Sequence, residues 1–313
     1  MNTEVKAGVI LPTGSNQWTD ARELIELGRR AEELGYRSLF VNDSLLNPRI
    51  EPLTLLAALA PVTERVTLGT AALMPFLRRP IQAAQQLASI DQLSRGRLAV
   101  TVGAGFPGQF GRPLYDMSEL PWERRFKRLD ETVELWRRLW TAEGPISFHG
   151  EIIDVEDVPV QTAPFRSGGP PIWLGGATPA ALARTGRMYD GWLPYPPDAD
   201  DYRTGLAGVR SAAAQAGRDP DAITPALFVS VAITGDVASG EAMLADYAQA
   251  NYGVPLEQLR TIQCLVAGPS EHVRAYLESY VEAGARQLAV RIAAPDIKGQ
   301  NEQLELIADM LST

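Results

Sequence analysis

The sequence predicts an α/β fold, a (β/α)8 barrel of the TIM type with a small antiparallel insertion. Short apolar runs rich in β-branched residues alternate with amphipathic segments along all 313 residues. About eight such runs occur, nearly all followed by a helical pattern, and a doubly wound sheet usually has fewer strands. Composition does not shift along the chain and no low-complexity linker interrupts it, so we expect one domain over residues 1–313.

Four strands are predicted in the first half of the chain, at residues 7–11, 38–42, 66–73 and 98–102. The segments between and after them have helical periodicity. The predicted helices cover residues 20–34, 51–63 and 121–140, and one further amphipathic helical segment lies between the third and fourth strands. Gly35 is a typical residue to end the first helix, and Pro52 suits the first turn of the second.

Residues 146–155 depart from this order of strand and helix. Apolar and polar residues alternate there and a turn is present, which predicts a small antiparallel insertion within about 141–170. Alternation of strand and helix then resumes. Strands are predicted at 171–174, 191–193, 226–234, 262–266 and 287–292, and helices at 179–188, 202–216, 238–251, 256–261, 270–283 and 300–311.

Composition excludes several classes of function. The 29 basic and 38 acidic residues give a net charge of −9 without basic clusters, which argues against nucleic acid or an anionic membrane as partner. Cys264 is the single cysteine, and His149 and His272 are the only histidines, so we expect neither a disulfide framework nor a metal site. We see no signal peptide and no apolar run of 18 residues, and we expect a cytoplasmic protein.

Small residues end several of the predicted strands, where a barrel carries its active site. Ala71 and Ala72 end the third strand, Gly103 to Phe106 follow the fourth, and Gly175 and Gly176 follow the fifth. Backbone with little side chain at such positions allows a flat ring or a phosphate to approach closely.

The sequence from Gly103 to Gly108 matches G-x-G-x-x-G, a pattern found in dinucleotide-binding proteins. Pro107 and Gly108 are poor early helix residues, we predict no helix before residue 121, and no acidic residue follows at the required distance. We therefore interpret Gly103 and Gly105 as giving clearance to a ring that lies across the barrel mouth.

A phosphate-binding turn is predicted after the fifth strand. Thr178 is a good N-cap and Pro179 a good first helical residue, so free backbone N–H groups there face outward at the positive end of the helix. The predicted contacts are Gly175, Gly176, Ala177 and Thr178; the alternative is an ordinary tight turn.

Charged residues near strand ends have two interpretations each. Asp43 could orient the polar edge of a ring, or it could cap a turn with Ser44. Arg78 and Arg79 could reach a phosphate or an acidic tail, and Arg291 could point into the mouth or pair with a carboxylate. No Ser-His-Asp set, Walker loop or carboxylate pair stands out, which is typical of proteins whose cofactor carries the reaction.

The chain resembles the bacterial-luciferase-like superfamily of flavin- and F420-dependent oxidoreductases. The resemblance is carried, in order, by SLFVNDSLL, the long segment from EPLTLLAALAPVTERVTLGT to GRLAVTVGAGF, WERRFKRLDETVELWRRLW, PPIWLGGATPAALARTGRMYDGWLP and GPSEHVRAYLESYVEAGA. It implies a barrel with an insertion, FMN or coenzyme F420 at the carboxyl ends of the strands, and a homodimer.

Carried over residue by residue, the resemblance places a non-prolyl cis peptide at Ala71–Ala72 against the ring, Asp43 at its polar edge, and Gly175 and Gly176 at the phosphate. The sugar-phosphate-oxidising members have His after that Asp and Glu at the end of the fourth strand. This chain has Ser44 and Phe106 instead, so the usual proton-transfer pair is missing.

We therefore expect an oxidoreductase that uses FMN or F420 for hydride transfer or monooxygenation. The substrate is expected to be a small apolar or aromatic molecule because Phe106 makes the site more apolar. Either Ser44, beside Asp43, relays protons through water, or the hydride transfer or oxygen chemistry uses another acid. The alternatives are a non-catalytic flavin- or deazaflavin-binding barrel, which the missing His and Glu suggest, and a cofactor-free lyase or isomerase, for which no cluster of catalytic carboxylates or lysines is found.

Overall fold

The computed structural model describes residues 5–106 and 111–312. The strands are β1 (Lys6–Ile10), β2 (Ser38–Val41), β3 (Thr67–Leu73), β4 (Leu98–Val102), β5 (Ile146–His149), β6 (Asp154–Val158), β7 (Ile172–Leu174), β8 (Gly191–Trp192), β9 (Thr224–Ile233), β10 (Leu265–Gly268) and β11 (Gln287–Ile292). The helices are α1 (Arg22–Glu33), α2 (Pro52–Leu59), α3 (Pro80–Leu93), α4 (Arg112–Met117), α5 (Arg125–Thr141), α6 (Pro179–Met188), α7 (Ala199–Gln215), α8 (Val237–Tyr252), α9 (Leu256–Arg260), α10 (Ser270–Glu282) and α11 (Ile297–Ser312).

Eight parallel strands form a closed ring in the order β1-β2-β3-β4-β7-β8-β9-β11. The pairing of β11 with β1 and the pairing of β8 with β9 close the ring. Helices lie between successive strands, so the predicted (β/α)8 barrel is confirmed. A further strand, β10, pairs with the carboxyl-terminal half of β9, with Leu265 opposite Ser230.

A large aromatic side chain from β2 fills part of the barrel interior. Phe40 is completely buried; Gly69 lies opposite it on β3, and Gly8, on β1 and opposite Ser38, lies beside its ring. A Cβ added to either glycine would come within 2.9 Å of the Phe40 ring, so only glycine leaves room for this packing. Ile10, Ala99, Trp173 and Ala289 complete this inner cluster, beneath the carboxyl ends of the strands.

The predicted insertion is confirmed as an antiparallel pair of β5 and β6. Glu131, on α5, attaches the tip of this hairpin to the barrel. Its buried carboxylate accepts hydrogen bonds from the backbone N–H groups of Glu151, Ile152 and Ile153 at 2.9, 3.0 and 2.9 Å. Burial alone would raise the pKa of Glu131, but these three donors outweigh it and lower the pKa.

Several elements differ from the prediction; α5 begins at Arg125 rather than at residue 121, and α2 ends at Leu59 rather than at residue 63. α4 (Arg112–Met117) occurs where we predicted no helix before residue 121, and Leu114 and Tyr115 bury its apolar face. β10 begins at Leu265 rather than at residue 262, because Gln263 turns toward the barrel mouth before pairing starts. In the described part of the chain no helix is both long and apolar enough to cross a membrane.

Candidate active site

A cavity of about 1220 Å³ opens at the carboxyl ends of the barrel strands. Its lining includes residues that follow β1, β2, β4, β7 and β8, together with Arg291 on β11. Ligand pockets usually have volumes of roughly 300–1000 Å³, so this cavity has room for a large cofactor together with a small substrate. Its location is the one that the barrel fold uses for active sites.

Between β3 and β4 the mouth presents almost bare backbone. The peptide bond between Ala71 and Ala72 is cis, as the resemblance implied, and the pairing of β3 with β4 shifts register between Thr70 and Leu73. A Cβ added to Gly103 would lie 3.8 Å from the Cβ of Ala72, so Gly103 and Ala72 are neighbours. These residues form a surface of small groups that suits a flat ring.

Gly105 and Phe106 differ in position. Gly105 has a φ of +84° and faces the stacked rings of Phe76 and Tyr115, 3.6 Å from each for an added Cβ. Phe106 is 38% exposed and lines the cavity. Pro107 and Gly108, on which the argument against a dinucleotide motif partly rested, lie outside the described residues.

The predicted phosphate turn connects β7 to α6. Gly176 has a φ of +99°, and its carbonyl accepts a hydrogen bond of 2.8 Å from the indole of Trp192. Thr178 is the N-cap of α6, with its hydroxyl oxygen 3.3 Å from the N–H of Ala181. In residues 5–106 and 111–312, no hydrogen bond engages the N–H groups of Gly176, Ala177 and Thr178. They are therefore available to an anion at a helix amino terminus.

Asp43 lies on the cavity wall in a charged network. It is 5% exposed, and its Oδ2 accepts hydrogen bonds from Arg78 Nη1 at 2.6 Å and from the N–H of Met74 at 3.0 Å. Arg78 also pairs with Glu51. Burial would lower the pKa of Arg78, but both carboxylates outweigh it and raise the pKa. Arg78 is thus engaged by two acids, which makes it a poor candidate for the phosphate or acidic tail suggested from the sequence.

Ser44 also lines the cavity, beside Asp43. Its Oγ accepts a hydrogen bond of 3.1 Å from the N–H of Leu46, which leaves the hydroxyl proton free to be donated. The predicted catalytic roles of Asp43 and Ser44 stay predictions; the structure places both residues at the mouth of the barrel.

Several polar residues of the cavity were missed or left open by the sequence argument. Arg291 points into the mouth and contacts no carboxylate among the described residues, where we had left both possibilities open. Arg49, Tyr195, Tyr252 and Gln263 were not singled out. Nothing in the local pattern marks them, because loops that are distant in sequence bring them together.

A family model described as luciferase-like monooxygenase matches residues 5–287. The chain belongs to this family. The predicted membership of the bacterial-luciferase-like superfamily is therefore confirmed, and the matched region includes every residue predicted for the site.

Two relatives illustrate the range of this luciferase-like family. The chain is 33% identical over 208 residues to a phthiodiolone/phenolphthiodiolone dimycocerosates ketoreductase of Mycobacterium bovis (strain BCG / Pasteur 1173P2), covering 66% of this chain and 52% of the relative. The chain thus spans about half the length of that ketoreductase. It is 29% identical over 309 residues to an F420-dependent glucose-6-phosphate dehydrogenase of Nakamurella multipartita, covering 88% and 87%.

Solved structures share the fold over nearly the whole length. An F420-dependent secondary alcohol dehydrogenase in complex with an F420-acetone adduct has a TM-score of 0.82 at 20% identity, covering 98% of this chain and 99% of its own. The FMN complex of the oxygenating constituent of 3,6-diketocamphane monooxygenase of Pseudomonas putida has a TM-score of 0.76 at 18% identity, covering 97% and 96%. At these identities the likeness shows the fold alone. The two cofactors named in these structures are the two that we predicted.

Proposed function

We propose that this luciferase-like protein is an oxidoreductase that binds FMN or coenzyme F420 in the barrel mouth and transfers a hydride to or from a small organic substrate. One observation carries the proposal. The wall at Ala71, Ala72 and Gly103 lies at the carboxyl ends of β3 and β4, and the free N–H groups follow β7, the next strand in the ring, so the two features are adjacent, as a ring with a phosphorylated chain requires.

The residues present fit such a cofactor. The N–H groups of Gly176, Ala177 and Thr178 would bind its phosphate, with the positive end of α6 behind them. Gly103, Ala71 and Ala72 would face the ring of the cofactor. Side chains longer than a methyl group at these positions would occupy the space that the ring needs. When bound, the FMN or F420 dye supplies the centre that gives or accepts a hydride, and the protein supplies orientation and electrostatics.

Proton transfer falls to residues of the chain. The Ser44 hydroxyl can donate its proton, because its oxygen accepts the hydrogen bond from Leu46. Asp43, beside Ser44, is held in place by Arg78. Tyr195 is a further donor on the cavity wall, and burial raises its pKa, so its hydroxyl stays protonated at neutral pH. Ser44 and Tyr195 are thus proton donors to a reduced substrate in place of the His and Glu that the resemblance led us to look for.

We propose F420 as the preferred cofactor over FMN, because the relative that aligns over 88% of this chain is named as F420-dependent. Monooxygenation with FMN is the second candidate, and the description of the matching family favours it. We also propose that the protein acts as a cytoplasmic homodimer on small molecules, with neither nucleic acid nor membrane as a partner.

Absorbance titration of the purified protein with each dye tests the proposal. We expect saturable binding of at least one dye at micromolar concentration, followed by bleaching of the bound dye on reduction and return of its absorbance when a carbonyl substrate is supplied. Oxygen consumption with reduced FMN would indicate the monooxygenase. Binding without turnover of any substrate would favour the non-catalytic barrel, and binding of neither dye would refute the proposal.

A further inference from the structure

Two arginines line the cavity without an acidic partner in the part of the chain that the structure describes. Arg291 is 6% exposed; its Nη1 donates to the carbonyl of Leu11 at 3.1 Å and its Nη2 to Oε1 of Gln17 at 3.3 Å. Arg49 has a buried Nε with no hydrogen-bond partner among the described residues. Among residues 5–106 and 111–312, no carboxylate lies within 4.0 Å of either guanidinium. Buried charges in proteins are normally paired, so this arrangement lacks its counter-ion.

The two guanidinium groups are close enough to repel each other. Burial lowers the pKa of Arg49, the charge of Arg291 lowers it further, and Asp43 and Tyr252 oppose the shift. Asp43 cannot compensate either arginine fully, because Arg78 already holds both of its carboxylate oxygens. The region therefore has an excess of positive charge that an anion would relieve.

The arginines lie across the mouth from the phosphate turn. Arg291 is on β11, and Arg49 forms a β-bridge with Gly14 in the loop after β1. In the closed ring of eight strands, the phosphate turn follows β7, which stands four places from β1. An anion bound by the two arginines would therefore be a different group from the phosphate proposed for that turn.

The surroundings of the pair combine polar and aromatic groups. Gln263 is 4% exposed and lines the cavity, and within residues 5–106 and 111–312 its buried Oε1 has no hydrogen-bond partner. Phe228 and Tyr195 form an aromatic wall, with ring centroids 6.1 Å apart in an edge-on arrangement. A ligand here would meet positive charge at one end and aromatic surface along its body.

We propose that the substrate of this enzyme is an organic anion, whose anionic oxygen group binds Arg49 and Arg291 and whose apolar or aromatic body lies against Phe228 and Tyr195. The guanidinium fork suits a carboxylate, sulfonate or phosphate group. This inference rests on the proposed function in calling the ligand a substrate, and it adds an anionic group to the apolar or aromatic molecule expected from Phe106.

Calorimetric titration with probes that share one body tests the inference. Benzoate, benzenesulfonate and phenyl phosphate carry an anionic group, and benzamide is neutral; hexanoate and hexanamide form an aliphatic pair. The protein is saturated with whichever dye it binds. We expect at least one anion to bind, and its affinity to fall about ten-fold or more in R49Q and in R291Q, because each loses a charged hydrogen-bond donor. Amide affinity should not change.

Arg210 provides the matched control, because it pairs with Asp221 at 3.3 Å on the surface and has a side chain that is 45% exposed. R210Q makes the same charge change and should bind the anions as the wild type does. R49Q removes a repulsion, so its urea midpoint should not fall. If R291Q fails to fold, R291K replaces it in the titrations. Because R291K keeps the positive charge, it should retain more affinity for the anions than R49Q does.

The inference would be overturned by anions that bind no better than their amides, or by anion affinities that are equal in wild type, R49Q and R291Q. A loss of F420 affinity in R49Q and R291Q while FMN affinity is unchanged would assign the arginines to the acidic tail of the cofactor and also overturn it. If neither dye binds, the proposed function fails by itself, and the same probes titrated into the protein alone still decide whether the arginines bind an anion.

Discussion

The pair formed by Arg78 and Asp43 allows a quantitative prediction for R78Q. The side chains are 13% and 3% exposed, and the shorter of the two hydrogen bonds between them is 2.6 Å. Without Arg78, the buried carboxylate of Asp43 keeps only the N–H of Met74 as a donor among the described residues. Removing one partner of a buried pair costs about 3–5 kcal/mol, and we expect about 3 kcal/mol because Asp43 borders a cavity that admits water.

The assay is urea unfolding of R78Q, D43N, the double variant and R79Q. Arg79 is exposed and has no ion pair in the described part of the chain, so R79Q should change the free energy of unfolding by less than about 0.5 kcal/mol. D43N with R78Q should cost clearly less than the sum of the single changes, because the double variant buries no unpaired carboxylate. A cost below about 1 kcal/mol for R78Q, typical of exposed pairs, or strict additivity would refute the buried-pair reasoning.

Further predictions concern the site and the core. G176D should abolish dye binding by placing a carboxylate at the phosphate turn, whereas G176N, with the same backbone strain at a φ of +99°, should weaken it far less; equal affinities by absorbance titration would contradict the assignment. S44A should slow proton-coupled turnover with little effect on the dissociation constant of the dye, and an unchanged rate would remove Ser44 from the mechanism. E131Q should lower the free energy of unfolding by about 1–3 kcal/mol at pH 7. Because the pKa of Glu131 is lowered in the fold, that difference should shrink as the pH falls below about 4.5, and a constant difference in urea titrations would be evidence against this. Burial raises the pKa of Cys264 to about 12, so its thiol should not react with a disulfide reagent at pH 8 until the protein unfolds, and its contribution to stability should decline as the pH rises above about 9; rapid reaction of the native protein would contradict this.

Much of the fold could be predicted because the local pattern and the tertiary structure agree. The bounds of β4, β11 and α6 are those predicted, since an apolar run or a Thr-Pro helix start also marks where the backbone changes conformation. Pairing of β10 begins three residues late, because an apolar run does not reveal where a strand meets its neighbour. α4 was missed because six residues are too few to show a helical period.

The site was predictable only where it consists of backbone. The bare wall and the turn after β7, whose binding of phosphate stays a prediction, follow from small residues at strand ends, which a single sequence displays. Charge pairing is not displayed, since Asp43 and Arg78 are 35 positions apart, and the sequence offered only an external phosphate or acidic tail as a partner for Arg78. Arg49 went unnoticed because its place depends on a bridge between two loops.

The most direct test of the central claim is the position of the dye in a crystal of the protein soaked with F420 or FMN. We predict density for the ring over Ala71, Ala72 and Gly103, and density for the phosphate within hydrogen-bond distance of the backbone N–H groups at Gly176 to Thr178. A dye bound outside the barrel mouth, or with its phosphate at Arg49 and Arg291 instead, would contradict the account.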